Sequence, residues 1–435
     1  MNFKHFVVSA VLGWPLLCLG QETPAGSPGG RAASALTVDE AVAEAREANP
    51  EIRAAVRRLS LAQMKTSTAR SLDDPMLMVR DWGTPLSKPW DLNQAQLMFM
   101  LQQTFPNREK RDMRARVAGD GVELAADDVE TLRQEVTAEV RKTCSELMRN
   151  ADALKVHDHE SALMKEALAA ALAEYTAGKV PQADVLKAQM AVTRLSEHMI
   201  ELEQERDSAR AQLNALLGRR PDEAIEISGT YADPVSVPRI EELELVAIDH
   251  RPELAGLRKQ IATSRDEGHL MRLATKPDFT VALGYMLMPS GSMSRNAYMA
   301  EFSMNLPSWN RTRHEGEAKQ ADGATAVAEA ELDARTSAIF LEARQAQIDL
   351  LAAEKRVKLY RDTLLPEADA TFKASTAAYQ NNRGEFSNLI DSQNLLLDVE
   401  TGLYTASAAV DAGIARVERA TGAPLSTPAV KETSK

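Results

Sequence analysis

The sequence predicts a mainly α-helical chain with a small β part, built as a duplication in which each half runs helix, two strands, long helical hairpin. Three observations predict it. Aromatic residues make up 5% and charged residues 26% of the 435 residues, a balance that favours long solvated helices over sandwiches or doubly wound sheets. The two halves of the chain echo each other, and the hydrophobic period switches between helical and strand-like values at matching places in both. The formal net charge is −12, with Lys and Arg scattered among Asp and Glu. Nucleic acid binding needs a clustered basic face, so this pattern argues against it.

The duplication is the strongest single feature. Asn49-Pro50-Glu51-Ile52 returns as Arg251-Pro252-Glu253-Leu254, and Asp74-Pro75 as Lys276-Pro277. Thr104-Phe105-Pro106-Asn107-Arg108 recurs as Asn305-Leu306-Pro307 with Asn310-Arg311 after it, and Tyr175 to Gly218 aligns without a gap onto Tyr379 to Gly422. A repeat of roughly 200 residues is too long for a solenoid unit and marks a duplicated domain. The expected organisation is a signal over 1–20, a flexible segment over 21–36, a first repeat over 37–218, a linker over 219–238, a second repeat over 239–422 and a flexible tail over 423–435.

Within the first repeat, the capping box Thr37-Val38-Asp39-Glu40 opens a helix that Pro50 interrupts and restarts. The period then changes to two, giving strands at about Met76 to Trp82 and Gln94 to Phe105, joined by a loop from Gly83 through Asp91. A very long helix runs from about Asn107 toward Ala177, breaks at Gly178-Lys179-Val180-Pro181, and returns from Gln182 to Leu217. The second repeat places helices near Ile240 and Pro252, strands near Phe279 to Met288 and Ala297 to Leu306, and a long pair turning at Asn381-Asn382-Arg383-Gly384.

A helix of roughly 70 residues is about 105 Å long and needs a partner along its length. The spacing supplies one. Ala125, Val129, Leu132, Val136, Val140, Cys144, Leu147, Ala151 and Leu154 advance in steps of three and four, as do Ala188, Val192, Leu195, Met199 and Leu202 on the returning helix. Such narrow stripes are coiled-coil seams, so each hairpin is expected to zip onto itself.

The amino terminus carries Lys4, an apolar run from Phe6 to Leu19 and then Gly20 before polar Gln21, the pattern of a secretory signal. The run is too short to span a bilayer as a helix, and no later stretch approaches the required length. Leu17 precedes Cys18 where a lipid-attachment signal has a small residue, so cleavage beyond Cys18 is expected. Cys144 is then the only cysteine, and an intramolecular disulfide is excluded.

Four strands of about ten residues with apolar alternation suit a membrane barrel, but four cannot close one. Backbone groups in lipid must be satisfied, so strands from several protomers must be pooled. Three copies give twelve strands and twelve helical segments for a periplasmic tube; strand counting alone also admits a dimer or a tetramer.

Over essentially the whole mature chain this order of elements resembles TolC-type outer-membrane factors, the outer-membrane efflux proteins. The most specific stretches are Tyr175 through Gln189, which includes Asp184-Val185-Leu186 and Ala188-Gln189, and its counterpart ending Leu389-Ile390-Asp391-Ser392-Gln393. Leu365-Pro366-Glu367-Ala368, a helix-kinking proline before the second turn, also resembles the family. The resemblance implies a homotrimeric twelve-stranded outer-membrane β-barrel on a periplasmic α-helical tunnel, a passive exit duct docked to a periplasmic adaptor (membrane fusion protein) and an inner-membrane pump. It implies no enzyme activity and no cofactor. Carried over by position, the adaptor-contact tips are Gly178, Lys179 and Val180 with Arg383, Gly384 and Glu385, and the periplasmic gate is Asp391 with Asp184. The second turn departs from the family spacing, since Asn382 stands in the glycine's place and Gly384 comes two later.

Competing readings are a type I secretion exit duct, a periplasmic coiled-coil adaptor or scaffold, and an enzyme. An adaptor has one hairpin flanked by compact β domains, whereas this chain has two hairpins with strands before each. An enzyme finds no phosphate loop, nucleophile elbow or HExxH, and His157-Asp158-His159 splays its imidazoles around a helix.

Methionines concentrate in the strands. With Leu97, Phe99, Leu101, Val281, Leu283 and Tyr285 toward lipid, Met98, Met100, Met286 and Met288 face a lumen, as do Met76, Met78 and Met299, while Met304 goes with Phe302. Thioethers suit Cu(I) and Ag(I), and Phe105-Pro106-Asn107-Arg108 with Lys110 and Arg111 loosely resembles the family's heavy-metal branch. Export of copper or silver is the substrate expectation; methionine as an adaptable apolar filler is the plain alternative.

Overall fold

The computed structural model of the protein describes residues 35–82, 96–233, 235–288, 296–381 and 383–425. The expected signal with Cys18, residues 21–34, the loop 83–91, Asn382 and residues 426–435 lie outside the described residues.

The first half runs β1 (Ala35–Thr37), α1 (Val38–Ala48), α2 (Pro50–Ala69), β2 (Met76–Trp82), β3 (Gln96–Phe105), α3 (Arg108–Thr176) and α4 (Gln182–Leu216). The second runs β4 (Glu226–Ser228), α5 (Ile240–His250), α6 (Pro252–Leu273), β5 (Phe279–Leu287), β6 (Asn296–Met304), α7 (Arg311–Leu359), α8 (Leu365–Gln380) and α9 (Phe386–Thr421). Local chemistry explains the starts. Glu40 N donates to Thr37 Oγ1 at 3.3 Å while Thr37 N donates to Glu40 Oε2 at 2.8 Å, the capping box expected of α1. Asn49 Oδ1 accepts from Glu51 N and Ile52 N, and Pro50 occupies the first turn of α2, where its missing N–H costs nothing.

The two halves interlock rather than fold apart. The strands form one antiparallel sheet in the order β2-β3-β5-β6, with β3 pairing β5 across the duplication. Next to the sheet α2, α3, α6 and α7 lie side by side, and further away the order is α4, α3, α9, α7, with α8 continuing α7 against α9. Four helices abreast are thus kept at both levels by the length of α3, about 105 Å for its 69 residues. Among the described residues four apolar clusters hold the layer: one around Val140, Leu213 and Ile225, one around Leu350, Val410 and Val417, one near the tips around Met164, Leu195 and Phe386, and a smaller one around Leu254 and Ile339.

Several expectations need correction. Ala35 and Leu36, placed in a flexible segment, form β1, which pairs in parallel with β4 inside the expected linker. Ile225 of that linker is fully buried. Leu425, at the start of the expected tail, packs on the second-half core, and its N–H donates to Glu418 Oε1 at 3.2 Å. Strands of three residues carry too little period to be visible in sequence. On α3 the expected seam holds from Val129 to Leu147, after which Ala153 is buried and Ala151 exposed. Pro366 does kink its helix: Tyr360–Leu364 winds as a π-turn that makes room for a proline lacking its N–H.

Candidate functional site

Two regions carry the residues expected to function, the sheet and the hairpin tips. In the sheet, directly paired residues point to the same side. The register puts Leu77, Val79, Leu97, Phe99, Leu101, Leu283, Tyr285, Tyr298, Phe302 and Met304 on one face. That face also carries Asp81, Gln103 and Asn296 but is otherwise apolar and open, with Leu283 64% and Tyr298 89% exposed. Met76, Met78, Met98, Met100, Met286 and Met299 share the other face with Arg80, Gln96, Gln102 and Glu301. Met98, Met100 and Ala282 are buried there, with Met78, Met286 and Met299 packed on them. Met76 stays outside that cluster and exposed. Met288 follows β5 by one residue and lies 3.6 Å from Gln96 Nε2.

Where the sheet meets the helices, Lys110 donates to Asp278 Oδ2 at 2.9 Å and to the Lys276 carbonyl at 2.8 Å, while Asn107 N donates to Asp278 Oδ1 at 2.8 Å. Asp278 N donates in turn to Asn305 Oδ1 at 2.6 Å. Burial pushes the Asp278 carboxyl upward, but Lys110, the Asn107 N–H and Arg114 outweigh it and hold it below the usual aspartate range. This knot ties the first repeat's strand-to-helix corner to the second's.

At the tips, α3 ends in a left-handed Gly178, φ +73°, with Gly178 N donating to Tyr175 O and Lys179 N to Glu174 O, both at 2.9 Å. A side chain at Gly178 would meet nothing within 4 Å, so this tip is sterically open. The second tip reproduces the longer bond, Arg383 N to Ala378 O at 2.9 Å. Tyr379 Oη donates to Glu174 Oε2 at 3.2 Å, which links the two hairpins, and its ring meets Phe386 of its own hairpin edge-on at 5.4 Å. Burial, then Glu174, push the Tyr379 phenol up to about 12. Gly384 sits tightly against Ala378 and Tyr379, unlike Gly178.

The two aspartates expected at the gate take different places in the protomer. Asp391 lines a groove of about 900 Å³ between α4 and α9, with Lys187, Arg194, His198, Glu201 and Asp398 also in its wall; Asp184 is not among the residues lining it. Tyr379 feels the charge of Asp184, which places that carboxyl beside the tip contact instead. His157 is buried, with Nδ1 2.9 Å from the Ala153 carbonyl, and its ring meets His198 edge-on at 6.1 Å, while His159 is exposed.

Sequence reasoning missed one pair of carboxylates between α3 and α9. Glu160 is pushed up to about 7, by burial first and Glu400 second, and its Oε1 is buried without a partner. Glu400 is also raised by burial. A glutamate among many on a helix gives no sign in sequence of which ones face a neighbouring helix.

The profile of the outer membrane efflux protein family matches residues 41–219. The cobalt-zinc-cadmium resistance protein CzcC of Cupriavidus metallidurans is 23% identical over 367 residues, spanning 84% of this chain and 85% of that protein. The solved structure of the outer membrane protein VceC of Vibrio cholerae superposes with a TM-score of 0.73 at 16% identity, over 89% of this chain and 96% of that one. CusC, whose structures were solved to describe transmembrane channel formation, superposes with a TM-score of 0.75 at 13% identity, over 91% of this chain and 96% of that one. The matched first half, the repeat of its elements in the second and a shared fold along nearly the whole length agree: the chain has the fold of these outer-membrane channels, and its first half matches the outer membrane efflux protein family.

Proposed function

We propose that this chain is one protomer of a homotrimeric outer-membrane exit duct, passing substrates delivered by an inner-membrane pump through a periplasmic adaptor. The observation that carries this is the sheet. Its order leaves β2 and β6 each paired on one side only among the described residues, and one face is exposed and mostly apolar, with Asp81, Gln103 and Asn296 toward its two ends. Strands β3, β5 and β6, of 10, 9 and 9 residues, reach about 30 Å, enough for a membrane band of about 25 Å. Such a sheet is unstable in water and incomplete in lipid, and three copies complete it with twelve strands.

The helices support the same assembly. Along α4, Leu186 and Ile200 are exposed fourteen residues apart, and along α7 so are Val327 and Leu341, with Ile348 seven further on. These heptad-spaced stripes lie on the two outer helices of the layer, where neighbouring protomers would meet. The similarity to CzcC supports the heavy-metal branch of efflux. Gly178, Lys179 and Val180, with Arg383, Gly384 and Glu385, are the adaptor contacts in this reading, and Asp391 guards the periplasmic end with Asp184 nearer the tips.

Mass measurement of the purified full-length protein in detergent, followed by planar-bilayer recording, tests the proposal. A trimer that conducts ions is expected, with Asp391→Ala raising single-channel conductance. Monomers only, or no conductance, would overturn the duct; conductance unmoved by Asp391→Ala would remove that residue from the gate.

A further inference from the structure

A single row crosses all four strands of the sheet: Met78 on β2 pairs Met100 on β3, Met100 pairs Gly284 on β5, and Gly284 pairs Met299 on β6. In the next row Met98 pairs Met286. We propose that this face is a soft-metal site that takes Cu(I) or Ag(I) on the thioethers of Met78, Met100 and Met299, with Met98 and Met286 as the adjoining step. The inference rests on the reading of the sheet as a channel wall and names what that wall selects.

Gly284 is the reason to see a site rather than a scatter of methionines. It has no left-handed backbone to explain it, since the positive-φ glycines among the described residues are Gly178, Gly218 and Gly422. What it provides is space. A Cβ at this position would lie 2.9 Å from Met100 Cγ and 3.8 Å from Met299 Cε, so the flanking side chains lean over the glycine from both sides. Met78 and Met100 are directly opposed, with Cβ atoms about 4.5–5.5 Å apart, and Met299 reaches toward them from β6 across the space that Gly284 leaves, so that flexible thioethers from three strands can converge on one ion. In the second row Gln96 Nε2 lies 2.8 Å from Met286 Sδ, fixing that thioether.

The donor set decides the ion. Neutral thioethers are soft ligands that suit Cu(I) and, by the same softness, Ag(I), whereas zinc and cobalt prefer imidazole, thiolate and carboxylate. Among the described residues no group of three or more His, Cys, Asp or Glu is placed to hold a metal. Uncharged donors in successive rows also bind weakly enough to release, which conduction requires. The chain therefore departs in chemistry from the divalent ions in the name of its relative CzcC.

The test is a titration of the full-length protein in detergent with silver nitrate in chloride-free buffer, followed by calorimetry, beside the variant Met78→Leu/Met100→Leu/Met299→Leu. Both proteins keep their cysteines, so binding there cancels. At least a tenfold loss of silver affinity is expected in the variant, with zinc binding the same in both. Equal silver binding in the two proteins, or none in the unaltered one, overturns the site. If the triple variant fails to assemble by mass and circular dichroism, Gly284→Ala replaces it, keeping every methionine while filling the notch: weakened silver binding supports the site and unchanged binding overturns it. Bilayer recording of the unaltered protein separates the two readings, since conductance without silver binding sinks the metal site alone and absent conductance sinks the duct.

Discussion

Among the described residues three glycines adopt the left-handed conformation, and their surroundings sort them by role. Gly218 and Gly422 end α4 and α9, at φ +69° and +74°, and a Cβ on either would lie 2.6 Å from a carbonyl, that of Ala48 in the first half and that of His250 in the second. Each sits beside a matching anchor. Asn49 Nδ2 donates to Leu216 O at 2.9 Å, and Arg251 Nη1 donates to Arg419 O at 2.5 Å while Nη2 meets Glu253 and Glu342. Asn49 and Arg251 thus do the same task with different side chains, satisfying the last carbonyls of a long helix. The equivalence of Gly218 with Gly422 was legible in the aligned repeats; the carbonyl against each was not, because a contact between segments far apart in sequence leaves no local trace. Backbone strain and overlap act together here, so Gly422→Ala is expected to cost about 2–4 kcal/mol. Gly178→Asn, at an open tip where asparagine tolerates the same backbone, is expected to change stability little. Thermal unfolding followed by circular dichroism compares the two, and equal melting temperatures would refute the distinction.

Among elements, the long hairpins were the most legible part of the chain because their stripes repeat over many turns, and β1 and β4 the least because three residues carry no period. The contact between α3 and α9 lies between these extremes. Its apolar spacing shows in the sequence, but the carboxylates within it depend on which way each helix is turned. Burial and Glu400 raise the folded pKa of Glu160 to about 7 from an ordinary 4.5, and Glu400 itself faces His159 and Asp369. A raised carboxyl binds its proton more tightly in the folded state, so its stabilising effect is complete below pH 4.5 and is lost as pH rises through about 7. Glu160→Gln keeps the shape and removes the titration. With the partial exposure of this group discounted, the variant is expected to gain about 1–2 kcal/mol at pH 8 and nothing at pH 4.5. Melting curves at the two pH values check this, and an equal shift at both would show that the carboxylate pair is not its source.

At the scale of the whole molecule, the duplication, the strands and the hairpins could be read from residues alone, whereas the faces on which the proposed assembly would join protomers could not, since exposed apolar residues on long helices stand out only once the inner faces are known. The structure identifies those inner faces. Val140, Leu195, Leu350 and Val410 are buried within the protomer, and the exposed apolar residues on α7 include the stripe Val327, Leu341 and Ile348, beside Leu351 and Leu359. A solvated helix has no use for large apolar side chains at heptad spacing, and burying each against a neighbouring helix is worth about 1.5–3 kcal/mol. A charge there blocks assembly without touching the core, because both positions are already more than half or about half open, Leu341 at 58% and Ile348 at 50%. The double variant Leu341→Glu/Ile348→Glu is therefore expected to keep its helical circular dichroism yet appear as monomer by mass in detergent, with bilayer conductance lost. If it assembles as the unaltered protein does, this stripe lies outside the interface. If the helical signal collapses as well, the stripe belongs to the fold of one protomer, and the exposed face of α7 is not where the tube closes.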